Sequence, residues 1–256
     1  MDMKSIIPFL CFLQVLISVA ANQPAFPPPG TPLQKMNTDI FKCREGGEKF
    51  QPNSGFDIYL ELSFAGLTSA KMGGWYLKSE GDGLGLLVTA FAMCPGFVKE
   101  DQCLGCIKTT IPLLRQKCPN QKEAVAWMQK CMLRYSGHVF LKKFDPWFWA
   151  FLGDDTNVPE KEERIFEQTK NKLMIRLSAE AAAGNQFAKY STGTAAFGSK
   201  TIYMAMQCTP DLSQDTCNEC FVTIQLVVSI VPKGDVANAM FSPNCFIKYA
   251  LYDFRK

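Results

Sequence analysis

The stretch Cys94-Pro-Gly-Phe-Val-Lys-Glu-Asp-Gln-Cys103-Leu-Gly-Cys106 decides how the rest of the chain is read. Eight residues separate its first two cysteines, and two separate the next pair. The same spacing returns at Cys208-Thr-Pro-Asp-Leu-Ser-Gln-Asp-Thr-Cys217-Asn-Glu-Cys220, at an offset of 208 − 94 = 114 residues. A three-cysteine pattern recurring at one offset marks an internal duplication. Cys106 and Cys131 lie 25 residues apart, and so do Cys220 and Cys245, which extends the repeat.

The chain has 256 residues, room for two units of about 110–120 each. A hydrophobic content of 47% with 20% charged residues describes a globular chain rather than a disordered one. A formal net charge of +3, without any Lys/Arg cluster, argues against a nucleic-acid partner. Lys4 followed by the apolar run Ile6–Val19 and the small residues Ala20-Ala21 reads as a signal peptide over 1–21, with the mature chain starting at Asn22. That run is short for a membrane anchor, and no later segment reaches about 18 apolar residues. A secreted chain without a membrane anchor is expected. Cys11 leaves with the signal, so ten cysteines remain for an oxidising compartment, and a disulfide framework follows. The sequence contains no Asn-x-Ser/Thr sequon.

Prolines 24, 27, 28, 29 and 32 make residues 22–35 an extended arm. Asp39–Cys43 reads as a short strand. Apolar residues at 56, 60, 64 and 67 fit one helix face, which Gly73-Gly74 ends. Trp75–Lys78 and Leu84–Met93 read as a hairpin around a Gly81-Asp-Gly83 turn. Leu104, Ile107, Ile111 and Leu114 predict a second helix to about Cys118, which Pro112 would kink or shorten. Two strands over Ala124–Leu133 and Arg134–Phe140 follow. The second half predicts a helix over Ile165–Leu177, a strand over Thr201–Gln207, a helix over Phe221–Val231 and final strands over Ala239–Phe254. Strands and helices without strict βαβ alternation give an α+β class, with two tandem modules, each an antiparallel sheet carrying two helices. The expected boundaries are 36–140 and 146–254. Between them Phe144-Asp-Pro-Trp147-Phe148-Trp149-Ala-Phe151 is too aromatic for a solvated linker, so it is expected to pack between the halves.

Matches for Cys43 and Cys118 in the second half would fall at 157 and 232, which are Asn157 and Pro232. Two cysteines missing together point to a Cys43–Cys118 bond. Spacing does not choose among the three connectivities of the remaining four in each half.

The paired Cys-x8-Cys-x2-Cys modules, the Cys118-Pro-Asn turn and Cys131-Met-Leu-Arg-Tyr-Ser136 resemble the plant cysteine-rich repeat secretory proteins, whose modules are homologous to the antifungal seed protein ginkbilobin-2. The resemblance covers about residues 36–256, and Phe-Ile-Lys248-Tyr249 echoes Leu-Arg134-Tyr135. It implies the pairs Cys43–Cys118, Cys94–Cys103, Cys106–Cys131, Cys208–Cys217 and Cys220–Cys245. It also implies links to defence and stress responses. The mannose-binding Asn, Arg and Glu of ginkbilobin fall here on Arg44, Val125 and Ser136, and in the second half on about Val158, Ala239 and Ala250. None of these can replace the polar groups that fix a sugar hydroxyl in that site.

Other chemistry is sparse. Cys103-x2-Cys106 and Cys217-x2-Cys220 resemble halves of a zinc site, but each cysteine has a structural use in an oxidised chain. The single histidine, His138, has no nucleophile at a matching spacing and no serine elbow nearby. The acid pairs Glu162-Glu163 and Asp154-Asp155 read as solvated charges. No cofactor is expected. The expected function is non-enzymatic recognition in the plant extracellular space (the apoplast), with an extracellular protein or a cell-wall carbohydrate as partner. The alternatives are a mannose-type antifungal lectin and, more remotely, an extracellular hydrolase.

Overall fold

The computed structural model describes residues 34–35, 39–69, 76–83, 86–147, 149–154, 156–185, 188–230 and 234–255. The expected signal peptide, most of the proline arm, the Gly73-Gly74 breaker, Phe148 and Pro232 lie outside the described residues.

The first half builds a five-stranded antiparallel sheet. Its strands are β2 (Ile40–Cys43), β3 (Tyr76–Gly83), β4 (Leu86–Met93), β5 (Glu123–Trp127) and β6 (Met132–Ser136), in the order β2-β5-β6-β4-β3. Helices α1 (Gly55–Ser69) and α2 (Glu100–Lys117) cover one face. The second half repeats the plan. It has β7 (Ala150–Gly153), β8 (Lys189–Phe197), β9 (Lys200–Cys208), β10 (Ala237–Phe241) and β11 (Cys245–Ala250), with helices α3 (Glu160–Ala182) and α4 (Gln214–Ile230). Its order is β7-β10-β11-β9-β8, antiparallel throughout, and β1 (Gln34–Lys35) adds a parallel edge beside β7. The end of the proline arm is therefore part of the second half's sheet.

Local chemistry accounts for the elements. Helix α2 carries Glu100 and Asp101 in its first turn and Arg115 and Lys117 in its last, both favourable to the macrodipole. Pro112 neither shortens nor ends it. The proline cancels one intrahelical bond, and the carbonyl it frees, that of Lys108, sits on an exposed stretch where water can take the bond. The expected Gly81–Gly83 turn is instead strand, with Gly81 opposite Val88 and Gly83 opposite Leu86; the connection between the strands lies outside the described residues. Strand β8 was not anticipated. Its Gly193, Thr194, Ala195 and Ala196 offer no run of bulky residues, and its hydrogen bonds to β9 hold it.

The inner strands of each sheet are buried on both faces. On β5 and β6, Ala124, Ala126, Leu133 and Tyr135 face the helices, while Val125, Trp127 and Met132 face the other sheet. There they meet Ala205, Ala239 and Phe246 of the second half. The two sheets thus pack face to face across the duplication. The linker aromatics contribute less than the sequence suggests. Phe144, Trp149 and Phe151 pack against the second half's own core, and of the described linker aromatics only Trp147 joins the seam.

Candidate intermodule cleft and the buried charge network

Ten cysteines among the described residues form five disulfides, and these set the frame. Cys43 joins Cys118, Cys94 joins Cys103, and Cys106 joins Cys131. In the second half Cys208 joins Cys217 and Cys220 joins Cys245. In each half the start of a helix is bonded to the end of one strand and the start of another. Neither Cys-x2-Cys has free thiols to offer a metal. Asn157 bridges Asp235, and the Val158 N–H donates to the Gly234 carbonyl at 2.8 Å.

Alternation along β6 aims Arg134 out of the helix-covered core, into a site that is 0% exposed. One amino group donates to Glu123 at 2.8 Å and also to Asp145. The guanidinium lies over Phe140, 4.0 Å from the ring centre. A buried cation is tolerable only with such compensation.

The same network holds His138, and here the sequence reading needs correction. Its Nδ1 sits 2.9 Å from the Ser136 hydroxyl, and its Nε2 is 3.8 Å from Glu123. A serine, a histidine and an acid are thus adjacent, brought together by the β6 turn. They do not form a nucleophilic site, because Ser136 is fully buried on β6 and no substrate carbonyl could reach it. Glu123, His138 and Asp145 also hold metal-ligand atoms within 4.8 Å of one another. Arg134 pairs with both carboxylates and Arg44 stands 3.9 Å from Glu123, so the group is an ion-pair network rather than a metal site.

The positions matched to the mannose site offer no sugar surface. Val125 is in the intermodule seam and Ser136 is interior, while Ala239 and Ala250 are buried in the second half. Arg44 lies on the rim of a surface depression of about 390 Å³, but it faces Glu123 at 3.9 Å and Trp147 at 5.1 Å. The other charges there, Lys122 and Glu48, pair with each other at 2.6 Å.

A different cavity opens between the halves. Its volume is about 380 Å³, and residues of both halves line it, with Pro95, Phe97 and Val98 from the segment between Cys94 and Cys103. Trp127 and Phe246 form its floor, and the half-buried rings of Phe97, Phe241 and Phe254 form its walls. Lys99, Lys130, Lys248 and Arg255 line it, and among the described residues no Asp or Glu does. Gln207 holds this corner together across the halves. Its Nε2 donates to the Cys94 carbonyl at 3.0 Å, and its Oε1 accepts from Gly96 N–H at 3.0 Å. Gly96 must be glycine, since a Cβ would lie 2.4 Å from the Tyr190 ring. Sequence reasoning missed this cleft because its residues come from both halves. The only available signal was the unbalanced cation at the Lys248 echo of Arg134.

A family model described as salt stress response/antifungal matches residues 42–138 and again 154–252. The chain belongs to this salt stress response/antifungal family. Among relatives in it, the Arabidopsis thaliana cysteine-rich receptor-like protein kinase 29 is 33% identical over 84% of the chain, but only 32% of that protein is covered. The chain thus spans about a third of the length of the receptor-like kinases it matches. The putative cysteine-rich repeat secretory protein 27 of Arabidopsis thaliana is 27% identical over 93% of this chain and 95% of its own length. The crystal structure of the tandem DUF26 ectodomain of the Arabidopsis thaliana cysteine-rich receptor-like protein PDLP8 superposes with a TM-score of 0.70 at 18% identity, over 82% of this chain and 96% of that one. The fold is therefore the α+β tandem arrangement of two family modules. No helix among the described residues is long and apolar enough to cross a membrane.

Proposed function

We propose that the chain is a secreted, non-enzymatic recognition protein of the plant extracellular space, with the intermodule cleft as its binding site. The observation that carries this reading is the cleft itself: a concave site with aromatic walls, cationic groups and, among the described residues, no carboxylate in its lining. Glycosidic hydrolysis would need two facing carboxylates there. Kinship with proteins named as secretory supports the location. The family's description supports a role in stress or antifungal defence. The partner is an extracellular protein or a cell-wall carbohydrate, engaged without a cofactor.

The test is a panel of cell-wall oligosaccharides and purified extracellular ectodomains passed over the immobilised, oxidised protein. Gln129→Trp provides the control, because Gln129 is exposed on the rim and an indole there fills the cleft. At least one panel member should bind the native protein and be lost in this variant. Binding that survives the substitution, or none at all, refutes the proposal.

A further inference from the structure

The duplication allows one half to be read against the other. Adding the 114-residue offset to 134, 140 and 123 gives Lys248, Phe254 and Ala237. The sheets keep this correspondence in register, with Val125 opposite Arg134 and Ala239 opposite Lys248. The cation-over-ring contact is kept as well. Arg134 stands 4.0 Å from the Phe140 ring centre, and the Lys248 ammonium stands 4.7 Å from that of Phe254.

What is not kept is the counter-charge. Arg134 has Glu123 and Asp145. Ala237 stands where Glu123 stood, and among the described residues no carboxylate forms an ion pair with Lys248. Asp253, close in sequence, is held by Arg255 through contacts of 2.7 and 3.1 Å. Burial pushes the Lys248 ammonium below the ordinary lysine range. A half-buried cation without a carboxylate partner is costly, and an arriving carboxylate would offset that cost. Lys99 and Lys130 add positive potential at the mouth of the same cleft.

We propose that the cleft binds an acidic carbohydrate, a uronate carboxylate taking against Lys248 the place that Glu123 and Asp145 hold against Arg134. This rests on the cleft being the recognition site. A carbohydrate fits better than an acidic protein surface because the cavity is concave and about 380 Å³, the size of a short oligosaccharide rather than a protein face. The half-buried rings of Phe97, Phe241 and Phe254 present flat apolar surface to sugar rings. The exposed amides of Gln102 and Gln129 can donate to and accept from hydroxyls.

The experiment is calorimetric titration of the oxidised protein with trigalacturonate, its trimethyl ester and a tetraglutamate peptide. It is repeated on Lys248→Met, which keeps the apolar stem over Phe254, and on Lys108→Met, an exposed α2 lysine outside the cleft. The acid should bind about tenfold or more tightly than its ester, lose about tenfold or more in Lys248→Met, and be unchanged in Lys108→Met. The acid-versus-ester comparison is made on the native protein, so it does not depend on how any variant folds. Equal affinity for acid and ester overturns the proposal. So does acid binding that Lys248→Met leaves intact, tetraglutamate binding as tightly as trigalacturonate, or no binding of trigalacturonate at all. A neutral panel member lost in Gln129→Trp would leave the cleft standing as the recognition site while this inference fell.

Discussion

Replacing Trp127 with alanine tests whether the sheet-to-sheet seam holds the halves together. The indole is 2% exposed. Its ring centre lies 5.0 Å from Phe241 and 5.7 Å from Phe246, both on the other half. Its Nε1 donates to the Ser242 carbonyl at 2.9 Å, also across the seam. Truncating a buried tryptophan costs about 3–5 kcal/mol. Trp127→Phe keeps most of the apolar contact but leaves that carbonyl without its donor, at about 1–3 kcal/mol. With an m-value of about 3 kcal/mol/M, the alanine variant should lower the urea midpoint by about 1–1.7 M. The assay is urea unfolding followed by far-UV circular dichroism, with limited proteolysis to identify which half opens. The second half should open first, because it has two disulfides against the first half's three. A loss below about 1 kcal/mol with a single transition would refute the seam as the coupling element. Equal losses in the alanine and phenylalanine variants would assign the effect to the hydrogen bond rather than to packing.

Three further outcomes are expected. Removing Cys43–Cys118, which spans 75 residues, with paired serine substitutions should cost up to about 4.5 kcal/mol, against about 2.6 for the nine-residue Cys208–Cys217 loop; the reverse order of urea midpoints would contradict the loop-entropy account. Gln207→Ala breaks both bonds that clamp the Cys94–Gly96 corner, so urea unfolding should register a loss of about 2–3 kcal/mol. Burial raises the Asp235 carboxyl from its usual 3.8 to about 6, with Asn238 donating to it and so working the other way. Its neutral form is favoured in the folded state, so that stability is complete below pH 3.8 and is lost as pH rises through 6. Asp235→Asn should therefore melt higher than the native protein at pH 7, and the gap should close by pH 4.

The duplication and the fold class were legible in the sequence because cysteine spacing survives divergence that hides most other signals. The helices announced themselves through the periodicity of Phe56, Leu60, Phe64 and Leu67 and of Ile107 and Leu114. Strands were harder. β5 and β6 are buried on both faces, so they read as apolar runs without alternation, and β8 has small residues where propensity expects bulky ones. The aromatic linker misled for a physical reason. Aromatics that must be buried do not say against which half, and Phe144, Trp149 and Phe151 chose the nearer core. His138 met Ser136 through a tight turn that linear spacing does not encode. The cleft was illegible because Pro95, Trp127 and Lys248 come together only when the two sheets pack.

Why the unit occurs in tandem follows from the faces of its sheet. Helices α1 and α2 cover only the side bearing Ala124, Ala126, Leu133 and Tyr135. A single copy would leave Phe91, Met93, Val125, Trp127 and Met132 on an open apolar face, a patch that soluble proteins rarely expose. The second copy presents Ala205, Ala239 and Phe246, which close it. The second half has two disulfides against the first half's three, and an Asn157–Asp235 bridge ties its first described loop to the start of β10. The closure makes the seam the place where the copies must differ. A cation buried there without a carboxylate would be costly. The first half kept its acids and sealed Arg134 at 0% exposure. The second has Ala237 at the Glu123 position and Lys248 at the Arg134 position, and Lys248 lines the cavity between the halves. Of the cations that line the cleft, Lys248 is the one that stands at the Arg134 position of the repeat, so a ligand engaged there should be chosen by its charge.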